Sequence, residues 1–476
     1  MTAAAREAVR LWAPSAWIGG RWQDDVLLET DAGGAWRAVT PGQPAPADAE
    51  RLAGPALPGL VDAHSHAFQR AFAGLAERRD AAAPNADDDF WSWRERMYAV
   101  ANALTPPMLQ AIAAHLFVEL LRGGYTQVCE FHYLHLAGPA DEAGALAFPL
   151  ALADAAQQAG IGMTLLPALY ERAGFGAPAL RAEQRRFRAD ADAVWRCAQQ
   201  FAARAPVGRD VPLNAGLAIH SLRAATPASI ARLCALAEGF AGPIHIHAAE
   251  QTAEVDECRA ALGAPPLAWL ARQGLLDARW QLVHATHAQA AEIEAVAATG
   301  AGIVLCPGTE ANLGDGLADL PGWLAAAVPL AIGSDSQVTR GWREELRWLE
   351  YGQRLARRRR NIAAAAPQAP PAQTATAARL FDAVRDGGGR ACGEAAWGLA
   401  AGARADLLVV DPADASLVGI PAHRWLDALV FSSPGRPWRD VMVAGRWAVR
   451  NHRHPRSEAI GAAFAQAMGA LWSPPA

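Results

Sequence analysis

From about residue 59 the chain alternates short, nearly unbroken apolar runs with longer Ala- and Leu-rich stretches of helical periodicity. Unbroken apolar runs are what strands buried on both faces require. Their alternation with amphipathic segments predicts βα units around a parallel sheet. The runs fall at 59–64, 127–131, 163–169, 214–220, 243–248, 281–285, 302–306 and 329–333, with helical stretches such as 106–121, 227–238 and 288–299 between them. Eight such units predict a (β/α)8 TIM barrel with long loops over 59–394. Residues 1–58 instead carry short β-segments, among them the hairpin-like Trp17-Ile-Gly-Gly-Arg-Trp22, and 395–476 returns to β-like runs at 405–411 and 440–446. Since both ends flank one barrel, they are expected to pack together as a small composite β domain.

Polar residues gather where the predicted strands end. The first ends in His64 and His66, and residues i and i+2 of a strand share a face, so both can reach one metal. The second leads to Glu130, His132, Tyr133 and His135, and the fourth to His220, Ser221 and Arg223. The fifth supplies His245, His247 and then Glu250, the sixth His284 with His287 beyond, and the eighth Ser334-Asp335-Ser336. Parallel barrels build their sites at this rim. Three neutral imidazoles and one carboxylate suit Zn2+, with a position left for water, and the set assigned is His64, His66, His247 and Asp335. Zinc in such a set brings the pKa of a water towards neutrality, and Asp335 can orient that water. Glu250, three residues past His247, is placed to relay its proton. His284 is the second proton-handling group, whereas His245 is read as core. His132, His135 and His287 are candidates for orienting ligands.

Composition narrows the chemistry. No lysine occurs among 43 basic residues, so a Schiff base and a carboxylated lysine bridging two metals are both excluded, which favours one metal per subunit. A net charge of -5 gives no reason to expect nucleic acid, and no apolar run reaches membrane-spanning length. Six scattered cysteines form no Cys-x-x-Cys pair, and a cytoplasmic protein is expected. The acidic run 87–89 reads as a polar loop and the arginines at 357–360 as a solvated helix end.

In this order, these residues resemble the amidohydrolase superfamily in its mononuclear deaminase branch. The segments His64-Ser-His-Ala-Phe-Gln-Arg-Ala-Phe-Ala-Gly-Leu-Ala76, Phe90-Trp-Ser-Trp-Arg-Glu95, Glu130-Phe-His-Tyr-Leu-His135 and Thr309-Glu-Ala-Asn-Leu-Gly-Asp-Gly316 are similar to the formimidoylglutamate deiminases within it. So are His247-Ala-Ala-Glu-Gln251, Leu282-Val-His-Ala-Thr-His287 and Glu344-Glu-Leu-Arg-Trp-Leu-Glu-Tyr-Gly-Gln-Arg354, and the likeness runs from about 17 to 450. The resemblance implies a barrel of the metal-dependent hydrolase type that deiminates N-formimino-L-glutamate to N-formyl-L-glutamate and ammonia in histidine breakdown. It implies zinc, with Fe2+ or another divalent ion as the alternative, on His64, His66, His247 and Asp335. Catalysis falls to Glu250, His284 and Asp335. Gln69, Arg94, Tyr133, His220 and Arg223 match substrate-contact positions, and the arginines suit a dicarboxylate. It also implies a homodimer. The alternative reading is a zinc deaminase of an aromatic base or another amidine. The chain departs from the family pattern at Gln337, where histidine is common, at Gly308, where a hydroxyl residue is usual, and at Leu136, where a second histidine is common.

Overall fold

The computed structural model describes residues 8–78, 89–138, 142, 145–366 and 373–473. Eight parallel strands make the barrel. They are β1 (Leu60–Ser65), β2 (Tyr125–His132), β3 (Gly162–Leu169) and β4 (Leu217–Ser221), then β5 (Ile244–Ala248), β6 (Trp280–His284), β7 (Gly302–Leu305) and β8 (Leu330–Ile332). They pair in chain order. Between β8 and β1 the ladder shrinks to one parallel bridge, Ser65 with Asp335, so the barrel is nearly closed. There the Asp335 amide donates to the His64 carbonyl (2.9 Å) and the His66 amide to the Asp335 carbonyl (3.2 Å). Every residue of β1, β2, β3, β5, β6, β7 and β8 is buried, which is why their sequences are apolar without alternation. The barrel expected from the apolar runs is therefore present. One strand differs: 214–220 is broken into Leu213–Ala215, paired with β3, and β4. The break falls at Gly216, where a Cβ would lie 2.6 Å from the Pro243 carbonyl oxygen.

The two chain ends do form one sheet. Its order is Arg446–Val449, Trp438–Val443, Leu407–Val410, Ala56–Leu57, Arg10–Ile18, Arg21–Thr30 and Trp36–Thr40. The ends are joined where Leu408 pairs with Leu57 and Val409 with Ala56, antiparallel. In the hairpin, Trp17 pairs with Trp22 across Gly19-Gly20, whose φ values of 58° and 79° are those a tight two-residue turn demands.

The C-terminal stretch holds a helix that the β-like reading of 395–476 did not include. Ser457–Trp472 lies against helix Pro106–Gly123 on the barrel wall, with the His115 and Phe464 rings stacked at 4.2 Å. The Trp472 indole donates to the Ala71 carbonyl (3.0 Å). Among the described residues no single helix is long and apolar enough to cross a membrane.

Helix Thr376–Ala391 crosses beneath β8 and β1 and carries three successive glycines, a costly choice for helix propensity. Packing explains them. A Cβ on Gly387 would run into the Leu330 carbonyl oxygen, one on Gly388 would lie 3.0 Å from Val61 Cβ, and one on Gly389 2.8 Å from Trp397 Cβ. Small residues let this helix approach the very strands that frame the barrel's seam. Gly387→Ala, despite its better helix propensity, is expected to destabilise the fold by about 1–3 kcal/mol through overpacking. A denaturant midpoint equal to or above that of the parent would refute this.

Candidate active site

His64 and His66 end β1, His247 lies on β5, His284 ends β6, and Asp335 follows β8. All are at most 7% exposed. His66 Nδ1 lies 2.9 Å from the Phe131 carbonyl oxygen and His247 Nδ1 2.8 Å from that of His220. A carbonyl only accepts, so each Nδ1 carries the proton and each Nε2 presents a bare lone pair. His64 Nε2 lies 3.0 Å from His247 Nε2 and 3.4 Å from Asp335 Oδ1, while His66 Nε2 lies 3.3 Å from the same oxygen. Lone pairs facing one another at this range repel unless a cation or proton stands between them. Ligand atoms of His64, His66 and His247, and of His64, His284 and Asp335, fall within 4.8 Å of one another. The donor chemistry of three imidazoles and a carboxylate fits a divalent ion. Burial pushes His64 down to about 3 and lowers His66 and His247 as well, keeping the imidazoles neutral. Burial opposes charge on Asp335, but its contacts with His64, then His66 and His284, hold it below the usual carboxylate range.

His284 and Glu250 stand beside this cluster. His284 Nε2 lies 3.6 Å from Glu250 Oε1 and 3.9 Å from Asp335 Oδ2, and its Nδ1 lies 3.3 Å from Glu310 Oε1. Burial works against a proton on His284, yet Glu250, the Glu310 hydrogen bond and Asp335 outweigh it and raise its pKa. Burial raises Glu250 too, with His284 opposing and Asp335 assisting. A cationic imidazole next to a carboxyl poised for exchange is a proton-handling pair. The backbone is strained to aim these groups: φ is positive at Ala249 (55°), His284 (71°), Ala285 (48°) and Asp335 (47°). Glu254 steadies the turn by accepting from the amides of Ala249 (3.3 Å) and Glu250 (3.0 Å).

The cluster opens into a narrow cavity lined also by Gln69, Arg94, Tyr133, His220 and Arg223, all five substrate-contact candidates. Arg94 is carried by helix Phe90–Ala103, capped by Asp89, which accepts from the amides of Trp91 (2.9 Å) and Ser92 (3.1 Å). Asp89 is thus a cap, not free loop; Asp87 and Asp88 lie outside the described residues. Arg94 packs its guanidinium 4.5 Å from the Trp91 ring and Arg223 5.3 Å from the same ring. Arg94 Nε and Arg223 Nη1 are buried without a partner, and among the described residues neither guanidinium forms an ion pair with a carboxylate. Gln69 donates to the Tyr133 hydroxyl (3.0 Å) while its own Oε1 is unpartnered.

Other histidines lie elsewhere. His245 Nε2 bonds to the Ala391 carbonyl (2.8 Å) in the core, and His135 Nε2 to that of Ala168 (2.8 Å). His132 and His287 touch none of the cluster's ligand atoms within bonding range, and among the described residues each leaves Nε2 buried without a partner. At Gly308 a Cβ would meet the Thr339 hydroxyl and lie 3.0 Å from Glu345 Oε1, so Thr339 fills the space a hydroxyl residue would take. Glu310 was not anticipated as the partner of His284, although it lies in a motif singled out for resemblance. A glutamate four residues past an apolar run, inside the short helix Pro307–Leu313, gives no hint of which way it points.

An amidohydrolase family model matches residues 56–448. The chain belongs to the amidohydrolase family. This amidohydrolase is 44% identical over 97% of its length to the formimidoylglutamate deiminase of Pseudomonas aeruginosa, covering 99% of that protein. It is 28% identical to a 5-methylthioadenosine/S-adenosylhomocysteine deaminase of Natronomonas pharaonis, over 83% of this chain and 81% of the other. The crystal structure of an amidohydrolase from Brucella melitensis superposes with a TM-score of 0.89 at 39% identity, covering 98% of this chain and all of that one. An adenosine deaminase from Xanthomonas campestris, solved with zinc bound, shares the fold at a TM-score of 0.76 and 22% identity, over 97% of this chain and 98% of its own. The amidohydrolase is an enzyme, a hydrolase acting on C–N bonds of a small-molecule substrate.

If the imidazole–carboxylate cluster holds one divalent ion, purified protein should carry about one equivalent by elemental analysis, and His66→Ala should lose most of it. Equal metal content in the two would remove His66 from the set.

Proposed function

We propose that this enzyme hydrolyses N-formimino-L-glutamate to N-formyl-L-glutamate and ammonia, a step in histidine degradation, with zinc on His64, His66, His247 and Asp335. One observation carries the reading: two guanidiniums without carboxylate partners among the described residues share a cavity with the imidazole–carboxylate cluster. A substrate with an amidine-like head and two carboxylates, one on the carbon next to the head and one at the far end of the side chain, matches both halves. The 44% identity to a formimidoylglutamate deiminase supports the same substrate.

A divalent ion in the cluster would acidify a water and so supply the nucleophile at neutral pH. Arg94 and Arg223 hold the substrate carboxylates by charge-assisted hydrogen bonds, and Gln69, Tyr133 and His220 orient the chain between them and the formimino carbon. Glu250 takes a proton from the attacking water and delivers it to the departing nitrogen. His284, kept cationic by its three carboxylate neighbours, donates towards the tetrahedral centre. Asp335 stays ionised and orients the water. The water oxygen becomes the formyl oxygen, the C–N bond breaks, and both water hydrogens leave on ammonia.

A second reading rests on the rings of Phe90, Trp93, Tyr98, Tyr133, Tyr170 and Phe187 around the cavity, which favour an aromatic base as substrate. A base would leave both guanidiniums unpaired. Ammonia release from N-formimino-L-glutamate, run beside guanine, cytosine and adenosine with and without chelator, separates the two. Chelator-sensitive turnover of the first alone is expected; turnover of a base alone would overturn the assignment. The reading extends to a cytoplasmic homodimer. All six cysteines are unpaired, as a reducing compartment keeps them, and light scattering tests the dimer.

Two variants test the roles. Glu250→Gln should lower kcat by roughly 10²–10⁴-fold, the worth of a general acid–base group, with metal content unchanged. Arg223→Met should raise KM roughly 10–100-fold, the loss of one charged hydrogen bond, and alter kcat less. Parental kinetics in either variant would remove that residue from its role.

A further inference from the structure

Gln337 stands where the family pattern favours histidine, and it is neither in the metal cluster nor on the cavity wall. It is fully buried, at a φ of 69°, two residues past Asp335. Its amide nitrogen donates to Ser65 Oγ (3.0 Å) and to the Asp335 carbonyl (2.9 Å), while its Oε1 accepts from Ser334 Oγ (3.0 Å). Ser65 lies between His64 and His66, so one side chain ties the segment bearing two imidazoles to the segment bearing the carboxylate.

The bonds have a direction. Ser65 already gives its proton to Glu130 Oε2 (2.8 Å), and Glu130 Oε1 accepts from the Ala67 amide (2.8 Å). Ser65 Oγ therefore needs a donor, and the Asp335 carbonyl, which accepts from the His66 amide (3.2 Å), has a second lone pair for one; position 337 faces both. An amide nitrogen carries two hydrogens and serves both at once; a neutral imidazole carries one N–H and can serve only one. On the far side the Ser334 amide lies 2.8 Å from Asp62 Oδ1 and its hydroxyl 2.5 Å from Oδ2, so the hydroxyl's single proton is shared between Asp62 and Gln337 Oε1. The place matters because backbone pairing across β8 and β1 is a single bridge, Ser65 with Asp335, whereas β5 and β6 pair along five positions.

We infer that Gln337 is a positioning residue, which laces the barrel's seam and so sets the spacing of His64 and His66 from Asp335 and the retention of a bound divalent ion. The inference rests on the metal reading above. Groups that orient metal ligands from behind typically contribute roughly 10–100-fold to metal affinity.

Zinc release from the loaded, full-length protein into a chromophoric chelator tests it, comparing the parent with Gln337→Met and Gln337→His. Methionine keeps the length of glutamine and removes both donors and the acceptor; histidine keeps one donor. Release at least tenfold faster from Gln337→Met is expected, with Gln337→His between it and the parent. The Tm of the metal-free proteins should agree within a few degrees, which separates seam spacing from general destabilisation. Parental release from a folded Gln337→Met would overturn the inference while leaving the metal reading intact. If Gln337→Met does not fold, Ser65→Ala, which deletes one arm of the lacing, takes its place, and parental release from it overturns the inference equally. A parent that binds no zinc would overturn both.

Discussion

Lone pairs that face one another in a dry interior are the constraint on which this molecule is organised. His66 and His247 turn bare Nε2 atoms into the cluster, where His247 Nε2 lies 3.0 Å from His64 Nε2 and His66 Nε2 lies 3.3 Å from an ionised Asp335. Lone pairs so placed in an apolar barrel end repel unless a cation or a proton stands between them. The surroundings hold the arrangement in place: backbone carbonyls fix the tautomers of His66 and His247, and Glu130 and Asp62 anchor the segments that carry the ligands. Positive φ at His284, Ala285, Asp335 and Gln337 adds backbone strain of about 1–3 kcal/mol each. Hydrogen bonds worth about 1 kcal/mol apiece offset part of that only because many converge on the same few residues.

The cavity divides its charge. On one side the carboxylates of Glu250, Glu310 and Asp335 surround His284 and keep it protonated. On the other, Arg94 and Arg223 both lie over the Trp91 ring, whose π electrons attract cations. Cations left unpaired in a partly buried wall are an energetic liability unless an anionic ligand completes them. The two sides of the cavity thus differ in charge, carboxylates around His284 and guanidiniums over Trp91.

The barrel frame and the cavity depend on packing far from either. The glycine run of helix Thr376–Ala391 lets a helix close on β8 and β1, the two strands with the weakest backbone pairing. The helix Ser457–Trp472 returns from the small sheet to brace the outer wall next to the loop after β1. Its Ala-rich sequence has too little contrast between apolar and polar positions to announce which face is buried, so its docking was not legible beforehand.

What the amino-acid sequence determined by itself is the set of strands and the residues at their ends. Strands buried on both faces must be apolar throughout, and a polar residue at such a strand's end faces the rim, so His64, His66, His247, His284 and Asp335 could be read off in order. The paired end segments were legible as β for the same reason of periodicity. Tertiary structure alone decided which polar groups behind the rim meet. Glu310 finds His284 across two strand ends, and Gln337 finds Ser65 across 272 positions of sequence. Thr339 fills the place left by Gly308. Such contacts depend on side-chain direction and on how the barrel's seam closes, and a pattern with a period of two or 3.6 residues carries no information about either.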